Sequence, residues 1–273
     1  MSDLVTVSIA EGIADIRLNR PHKHNSLTLE MFDAINAAAA TLADHPAVRV
    51  AVLSGNGASF CAGLDFSIMA EMLKGPAEVS TVLARLLARD GRADNHAQRA
   101  AMAWQTAPVP VIAALHGVAF GGGCQIALAA DLRIAAPDTR LSVMEIKYGL
   151  IPDMGLSQTL PALVRLDVAK ELTLSGRIVD AQEALQLGLV TRVAADPLAV
   201  AFDIARSIAS RSPPAVRAAK RLLNEAWRAD ATSGLALEEA LQRTLLGSPE
   251  QIEAVKASME KREPRFAMPG GGA

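Results

Sequence analysis

Aromatic residues are scarce, at 3% of the 273 residues, with two tryptophans, one tyrosine and six phenylalanines. Proteins that bind single-stranded nucleic acid without sequence preference stack its bases on aromatic side chains, so this composition argues against that class. The formal net charge of −2 gives the chain no overall attraction for a polyanion. Nucleic acid is therefore not an expected partner, and any phosphate group has to be held by a local patch.

Cysteine is also rare, because Cys61 and Cys124 are the two copies in the sequence. Two cysteines form no disulfide framework, which fits a reducing compartment, and we expect a cytoplasmic protein. The five histidines belong neither to an HExxH motif nor to a cluster with cysteine, so no metal site is expected. The N-terminal stretch carries acidic residues early and no continuous apolar segment, unlike a signal peptide.

Charged residues are missing from residues 100–130, a run long enough to span a bilayer. Pro108, Pro110 and three consecutive glycines interrupt it, so we expect a buried strand, a turn and a buried helix instead of a membrane span. The phosphate-binding patterns GxGxxG and GxxxxGK[ST] are absent too, which excludes a Rossmann or P-loop nucleotide site.

Hydrophobic periodicity predicts strands and helices in alternation over the first 190 residues. Strands are expected in a hairpin turning at Glu11–Gly12, at 48–55 and at 109–117, with a Thr28-capped helix before the second. Residues 66–105 predict a helix broken near Gly75–Pro76. Further helices are predicted at 154–164, 166–174, 180–187, 196–211, 214–229, 232–246 and 249–261. The alternation favours an α/β fold with parallel strand pairing.

Two stretches share a design in which a buried strand runs into a turn of small residues. They are "SFCAGLD" (59–65) and "FGGGCQ" (120–125). Small residues expose backbone N–H groups, and two such turns suggest paired donors for an oxyanion. The alternative is that the glycines only allow a helix and a strand to pack closely.

Two carboxylates, Glu145 and Asp153, lie in the otherwise apolar "MEIKYGLIPDMG" (144–155). Apolar surroundings raise the pKa of a carboxyl, as a proton-transfer group working near neutrality needs. Two alternatives are open: an ion pair with Lys147, Arg133 or Arg140, and, for Asp153, the cap of a helix beginning near Met154.

These stretches, together with "IRLNRPHKHNSL", "GVAFGGGCQIALAADLRIAA", "SGRIVDAQEALQLGLVTRV" and "MEKREP", occur in an order that resembles the crotonase superfamily, also called the enoyl-CoA hydratase/isomerase family. The resemblance covers nearly the whole chain. It implies a crotonase-like spiral of ββα units over residues 1–195 and a C-terminal helical trimerisation region over 196–265. It also implies a homotrimer or a hexamer built as a dimer of trimers. We expect residues 266–273 to be disordered.

The resemblance assigns roles residue by residue. It implies an acyl-CoA thioester substrate whose enolate is held by the backbone N–H groups of Leu64 and Gly122, with no cofactor beyond the coenzyme A of the substrate. Candidate contacts to coenzyme A are Arg20, His22, Lys23, Ala62, Asp65 and Lys261, although basic residues of this kind are also typical of a solvated surface. The acyl chain is expected against the methionines and leucines of 66–105, namely Met69, Met72, Leu73, Leu83, Leu86 and Leu87.

One residue departs from the hydratase pattern, which has a glutamate at the position of Gln125 and a second at Glu145. An amide can orient water but cannot take its proton, so hydration by two carboxylates is in doubt. Glu145 and Asp153 also match a dienoyl-CoA isomerase subgroup, which however carries an aspartate at the position of Gln125. We expect double-bond isomerisation by Glu145, with Asp153 assisting. The alternatives are a hydratase in which Gln125 positions water, and a non-catalytic acyl-CoA-binding protein.

Overall fold

The computed structural model describes residues 3–266, so all of the expected disordered tail except Phe266 lies outside the described residues. The strands are β1 (Val5–Ala10), β2 (Ile13–Leu18), β3 (Val50–Gly55), β4 (Val111–Leu115), β5 (Val118–Phe120), β6 (Leu132–Ala135), β7 (Arg140–Ser142), β8 (Val179–Asp180) and β9 (Arg192–Val193). The predicted hairpin is present, with β1 and β2 paired antiparallel around Glu11–Gly12.

Helices fill the intervals between strands and make up the chain after β9. They are α1 (Leu29–Asp44), α2 (Phe66–Met72), α3 (Pro76–Leu86), α4 (His96–Thr106), α5 (Gly122–Leu128), α6 (Leu156–Thr159), α7 (Leu166–Ser175), α8 (Ala181–Leu187), α9 (Pro197–Ala209), α10 (Pro213–Ala226), α11 (Ala231–Leu245) and α12 (Pro249–Met259). Thr28 caps α1 as predicted, because its side chain accepts a hydrogen bond from the N–H of Met31.

The strands form two sheets. The larger has the order β1-β2-β3-β4-β6-β9, and every pair after the hairpin is parallel. The smaller has the order β5-β7-β8, with β5 and β7 parallel. Predicted parallel pairing is therefore confirmed. The uncharged run of residues 100–130 is divided among α4, β4, β5 and α5, and no helix within residues 3–266 is long and apolar enough to cross a membrane.

Both faces of the large sheet are covered. On one face α1 and α4 pack over a core that includes Ile35, Leu53 and Trp104, all fully buried. On the other face α9 packs its small residues, among them Ala201 and Ala205, against β3 and β4. Strands buried on both faces explain the apolar runs of the sequence.

Two helix predictions are wrong in their extent. A second break, over residues 87–95, separates α3 from α4, since Gly91 adopts a positive φ and Asn95 begins α4 with a capping box to Gln98. The helix expected over 154–164 is only the short α6 followed by a 3₁₀ turn, and Gly155, at φ +89°, precedes it. The division of the chain at residue 195 stays a prediction.

A buried ion pair fastens α10 to the core. Lys220 is 8% exposed, and its Nζ donates to Asp131 Oδ2 at 2.7 Å and to the carbonyl oxygens of Trp104 and Val109. The same Asp131 oxygen accepts from the N–H of Val111 at 2.7 Å. All three ammonium protons therefore have acceptors, as a buried cation requires.

Replacing Lys220 with methionine should lower the free energy of unfolding by about 3–5 kcal/mol, because the partly buried Asp131 loses its cation and the carbonyl oxygens of Trp104 and Val109 lose their donor. Urea denaturation measures the loss. The matched control is Lys170→Met on the exposed face of α7, expected to change stability by less than ~0.5 kcal/mol. Equal effects of the two substitutions would contradict this role of the ion pair.

Candidate active site

The two small-residue turns predicted from the sequence lie against each other. We call them the CAGLD turn (residues 61–65) and the GGG turn (residues 121–123). A parallel bridge joins their entry strands: the N–H of Cys61 donates to Val118 O, and the N–H of Phe120 donates to Cys61 O, both at 3.0 Å. The chain thus brings two segments about sixty residues apart into backbone contact.

Glycine is required where the turns touch. Gly63 has φ +87°, and a Cβ there would lie 2.6 Å from the carbonyl oxygen of Phe120. A Cβ on Gly123 would lie 2.4 Å from Cys61 O. Both obstacles are backbone atoms, which cannot rotate away as a side chain would. Close packing of a helix against a strand, the alternative explanation of the glycines, is therefore confirmed.

The predicted oxyanion donors are the N–H groups of Leu64 and Gly122. Leu27 pairs with the residues on either side of Leu64, because its N–H donates to Gly63 O and its carbonyl accepts from Asp65. Leu64 keeps its own N–H out of this ladder. Gly122 is the first residue of α5, where an N–H has no acceptor within the helix. Both residues line one cavity, so the structure brings the two candidate donors together.

Gln125 connects the predicted base to the backbone of the carboxylate loop. Its Nε2 donates to Glu145 Oε1 at 2.7 Å, and its Oε1 accepts from the N–H of Met154 at 2.8 Å. Because a backbone N–H can only donate, it fixes the amide oxygen toward Met154 and the NH₂ group toward Glu145. Gln125 is 1% exposed, and its hydrogen bond fixes the position of the Glu145 carboxylate.

Glu145 itself lies in the 3₁₀ turn Glu145–Tyr148 and is partly buried. Its second oxygen, Oε2, is buried and has no hydrogen-bond partner among the described residues. Burial raises the pKa of Glu145; the hydrogen bond from Gln125 offsets part of the rise, and the charge of Asp153 adds to it. An oxygen without a partner, on a carboxylate with a raised pKa, is suited to accept a proton.

Asp153 lines the same cavity but remains exposed, and removal of part of its water shell raises its pKa as well. Neither carboxylate has a cation beside it among the described residues, so the proposed ion pairs with Lys147, Arg133 or Arg140 are wrong. The capping alternative for Asp153 is also wrong, because α6 begins after Gly155 without a side-chain cap.

The cavity has a volume of about 270 Å³. Its polar rim consists of the two turns, Gln125, Glu145 and Asp153. Its remaining walls are apolar apart from the hydroxyl group of Tyr148, and they include Leu27, Phe32, Phe66, Met69, Met72, Val82, Leu83, Leu86, Ala97, Tyr148, Leu150 and Ile151. The methionines and leucines expected at the acyl chain therefore line it, except Leu73 and Leu87, which are exposed at 87% and 47% and face elsewhere.

The sequence missed the aromatic pair of the cavity. The rings of Phe66 and Tyr148 meet edge to face, with centroids 6.1 Å apart, so the start of α2 contacts the 3₁₀ turn that contains Glu145. Phe66 directly follows the CAGLD turn, and Tyr148 is the one tyrosine of the chain. The sequence signal available for this pair was its spacing from the site: Phe66 lies three residues after Gly63, and Tyr148 lies three residues after Glu145.

Most of the candidate contacts to coenzyme A lie at or near the CAGLD turn. Arg20 is paired within the protein, donating to Asp65 Oδ2 at 2.5 Å and to the Ser26 hydroxyl at 2.6 Å. Burial raises the pKa of Asp65, but hydrogen bonds from Ser67 and Ser26 outweigh it. With the Arg20 guanidinium they hold that pKa well below its usual range.

The remaining four candidates for contact with coenzyme A lie in different places. His22 and Lys23 are exposed on a 3₁₀ turn beside this ion pair, and Ala62 lines the cavity. Lys261 is exposed beyond the end of α12 and is not part of the cavity wall. The roles of all six residues toward coenzyme A stay predictions.

Comparison with known proteins identifies the family. The sequence model described as enoyl-CoA hydratase/isomerase matches residues 8–269. The chain belongs to the enoyl-CoA hydratase/isomerase family. It is 32% identical to a mitochondrial methylglutaconyl-CoA hydratase of Rattus norvegicus, over 93% of this chain and 79% of that protein.

Solved structures of the family show the same fold. The enoyl-CoA hydratase of Bacillus anthracis superimposes with a TM-score of 0.85 at 32% identity, covering 96% of this chain and 98% of that one. The enoyl-CoA hydratase of Mycobacterium smegmatis gives 0.83 at 31% identity, covering 97% and 99%. The predicted crotonase fold with a helical C-terminal region is therefore confirmed, and the protein is an acyl-CoA enzyme of this family.

Gly63→Ala should disable the site because its Cβ would push the CAGLD turn off Phe120. Gly247→Ala is the matched control: its φ of +77° is similarly left-handed, but no atom lies within 4 Å of an added Cβ. We expect the control to lose about 1–2 kcal/mol of stability, from the left-handed backbone alone. Gly63→Ala should lose more, and its acyl-CoA turnover should fall by at least ~100-fold as one oxyanion donor is displaced. Indistinguishable stability and turnover for the two variants would contradict the account.

Proposed function

We propose that this enzyme moves a carbon–carbon double bond of an enoyl-CoA from C3 to C2, with Glu145 as the proton carrier. The observation that carries the proposal is the double hydrogen bond of Gln125, to Glu145 Oε1 and from the N–H of Met154. It makes Gln125 a positioning residue that can take no proton. One mobile carboxylate proton suits isomerisation, which removes and returns a single proton.

In the proposed reaction Glu145 Oε2 takes the proton from C2 of a 3-enoyl thioester. The electron pair of the broken C–H bond forms a C1–C2 double bond, and the thioester oxygen becomes negative. Return of the proton to C4 then leaves the double bond between C2 and C3. No other reactant is needed, since the substrate and product have the same atoms.

The negative oxygen of the intermediate requires donors placed in advance. Leu64 and Gly122 line the cavity with Glu145, which supports their N–H groups as the donors, and loss of one such donor in other enzymes costs about 2.7–4 kcal/mol of transition-state stabilisation. The partly exposed Asp153, which has a raised pKa, is the candidate for sharing the return of the proton at C4.

Hydration is the second candidate, and the names of the relatives favour it. The rat protein and the two bacterial structures are all named as hydratases. In this version Glu145 activates water and Gln125 positions it with the N–H that does not bind Glu145. A protein that binds acyl-CoA without chemistry is the third candidate, supported by Gln125 in the position where the hydratase pattern has a glutamate.

Self-association is proposed alongside the reaction. The C-terminal helices expose large apolar side chains, including Leu235, Leu246, Ile252 and Met259, each more than half exposed. Burial of such a surface between subunits would stabilise the trimer or hexamer that the family resemblance implies.

A substrate panel combined with Gln125→Glu tests the proposal. The wild type should convert 3-enoyl-CoA faster than it hydrates 2-enoyl-CoA, as followed by ultraviolet absorbance and product analysis. In Gln125→Glu a second carboxyl would stand about where the amide contacts Glu145, and the two would share a proton. Isomerisation should then fall by at least ~10-fold while hydration rises.

The control substitution is Gln182→Glu on the exposed face of α8, which should change neither rate. Efficient hydration of crotonyl-CoA by the wild type, with no conversion of 3-enoyl-CoA, would overturn isomerisation in favour of hydration. Inactivity toward the whole panel would support the third candidate.

A further inference from the structure

The charged groups in the wall of the cavity are all of one sign. Among the described residues that line it, the carboxylates are Glu145 and Asp153, Tyr148 adds a phenol hydroxyl, and there is no lysine, arginine or histidine. On the covering helix α3, the Arg85 guanidinium does not line the cavity and donates to Asp33 Oδ2 at 2.7 Å. A negative group entering the cavity would therefore meet two carboxylates and no cation.

The polar atoms of the wall come from the two turns, Gln125 and the 145–153 loop, and this loop also contributes the apolar Leu150 and Ile151. In contrast, α1 to α4 contribute only apolar side chains, including Phe32, Val82 and Ala97, which are at most 4% exposed. An acyl chain whose thioester oxygen reaches the turns therefore has apolar side chains of these helices to pack against.

The cavity has room for more than the thioester. Its volume of about 270 Å³ is many times the ~10–15 Å³ that one water molecule needs on the same measure. An aliphatic chain can pack against the apolar helices, whereas a carboxylate on that chain would lose water there without gaining a partner from them.

We infer that the enzyme is specific for acyl groups with an uncharged apolar tail and rejects those that end in a carboxylate. The inference rests on the proposed acyl-CoA function and adds the substrate class. It depends on the side chains of α1 to α4 and not on which proton-transfer reaction Glu145 performs. Binding alone can therefore test it.

The experiment compares pentanoyl-CoA with glutaryl-CoA by isothermal titration calorimetry. Both have five acyl carbons and no double bond to react, and they differ in a terminal methyl against a terminal carboxylate. The wild type should bind pentanoyl-CoA ~100-fold more tightly, because juxtaposed like charges and an unpaired buried ion each cost several kcal/mol. A preference of less than tenfold would overturn the inference while leaving the proposed reaction intact. Failure to bind either ester would overturn both.

Two adjacent pairs of residues provide matched variants. Leu86 lines the cavity and its neighbour Leu87 does not. Leu86→Arg should therefore improve glutaryl-CoA binding relative to pentanoyl-CoA by at least ~10-fold, whereas Leu87→Arg should leave the ratio unchanged.

The second pair covers the case in which an arginine at position 86 prevents folding. Met72 lines the cavity from α2, and the adjacent Leu73 is 87% exposed and does not. Met72→Lys should shift the ratio in the same direction and Leu73→Lys should not. Equal ratios for the lining and exposed members of a folded pair would overturn the inference.

Discussion

The contact between the CAGLD turn and the GGG turn is the constraint on which the rest of the site depends. Gly63 rests on the carbonyl of Phe120 and Gly123 on the carbonyl of Cys61, at distances that leave no room for a Cβ. The contact places Leu64 and Gly122 in the wall of one cavity, and backbone groups placed in this way cost no side-chain entropy to hold. It also fixes where α5 begins, and so the position of Gln125.

The hydrogen bonds of Gln125 in turn fix the loop that carries Glu145 and Asp153. The amide is buried and uses its oxygen for the N–H of Met154 and its nitrogen for Glu145, so it ties the loop to α5. A glutamate in the same place would face Glu145 with a like charge at hydrogen-bond distance. The amide instead leaves Glu145 with one oxygen, Oε2, that has no hydrogen-bond partner among the described residues, and burial keeps the pKa of Glu145 raised. A base with a raised pKa is stronger near neutrality, and it needs a higher pH to ionise.

Sequence reasoning predicted the elements whose local pattern is strong. The hairpin, the Thr28 cap and the parallel strands follow from periodicity and capping chemistry, and the two turns follow from their small residues. The break between α3 and α4 was missed, because its short polar stretch is bracketed by leucines and alanines that continue a helical pattern. The role of Asp153 as a helix cap was an error of boundary, since Gly155 takes the left-handed turn before α6.

Other features depend on contacts that no local pattern contains. The orientation of Gln125 is set by an N–H twenty-nine residues away, and Arg20 is taken up by Asp65, forty-five residues away. The ion pair of Lys220 with Asp131 spans eighty-nine residues. The absence of a cation from the described residues of the cavity wall could be recognised only from the fold, because the wall is assembled from helices far apart in the sequence. Long-range pairing of this kind decides which charges stay available for substrate.

The central claim is that Glu145 moves a proton at C2 of a thioester held by the two turns. Exchange of the C2 protons of pentanoyl-CoA in heavy water, followed by proton nuclear magnetic resonance, tests it most directly, because exchange needs the base and the oxyanion donors but no double bond. The wild type should exchange these protons, and Glu145→Ala should slow the exchange by ~10²–10⁴-fold. Exchange at the wild-type rate in Glu145→Ala, or none in the wild type, would contradict the account.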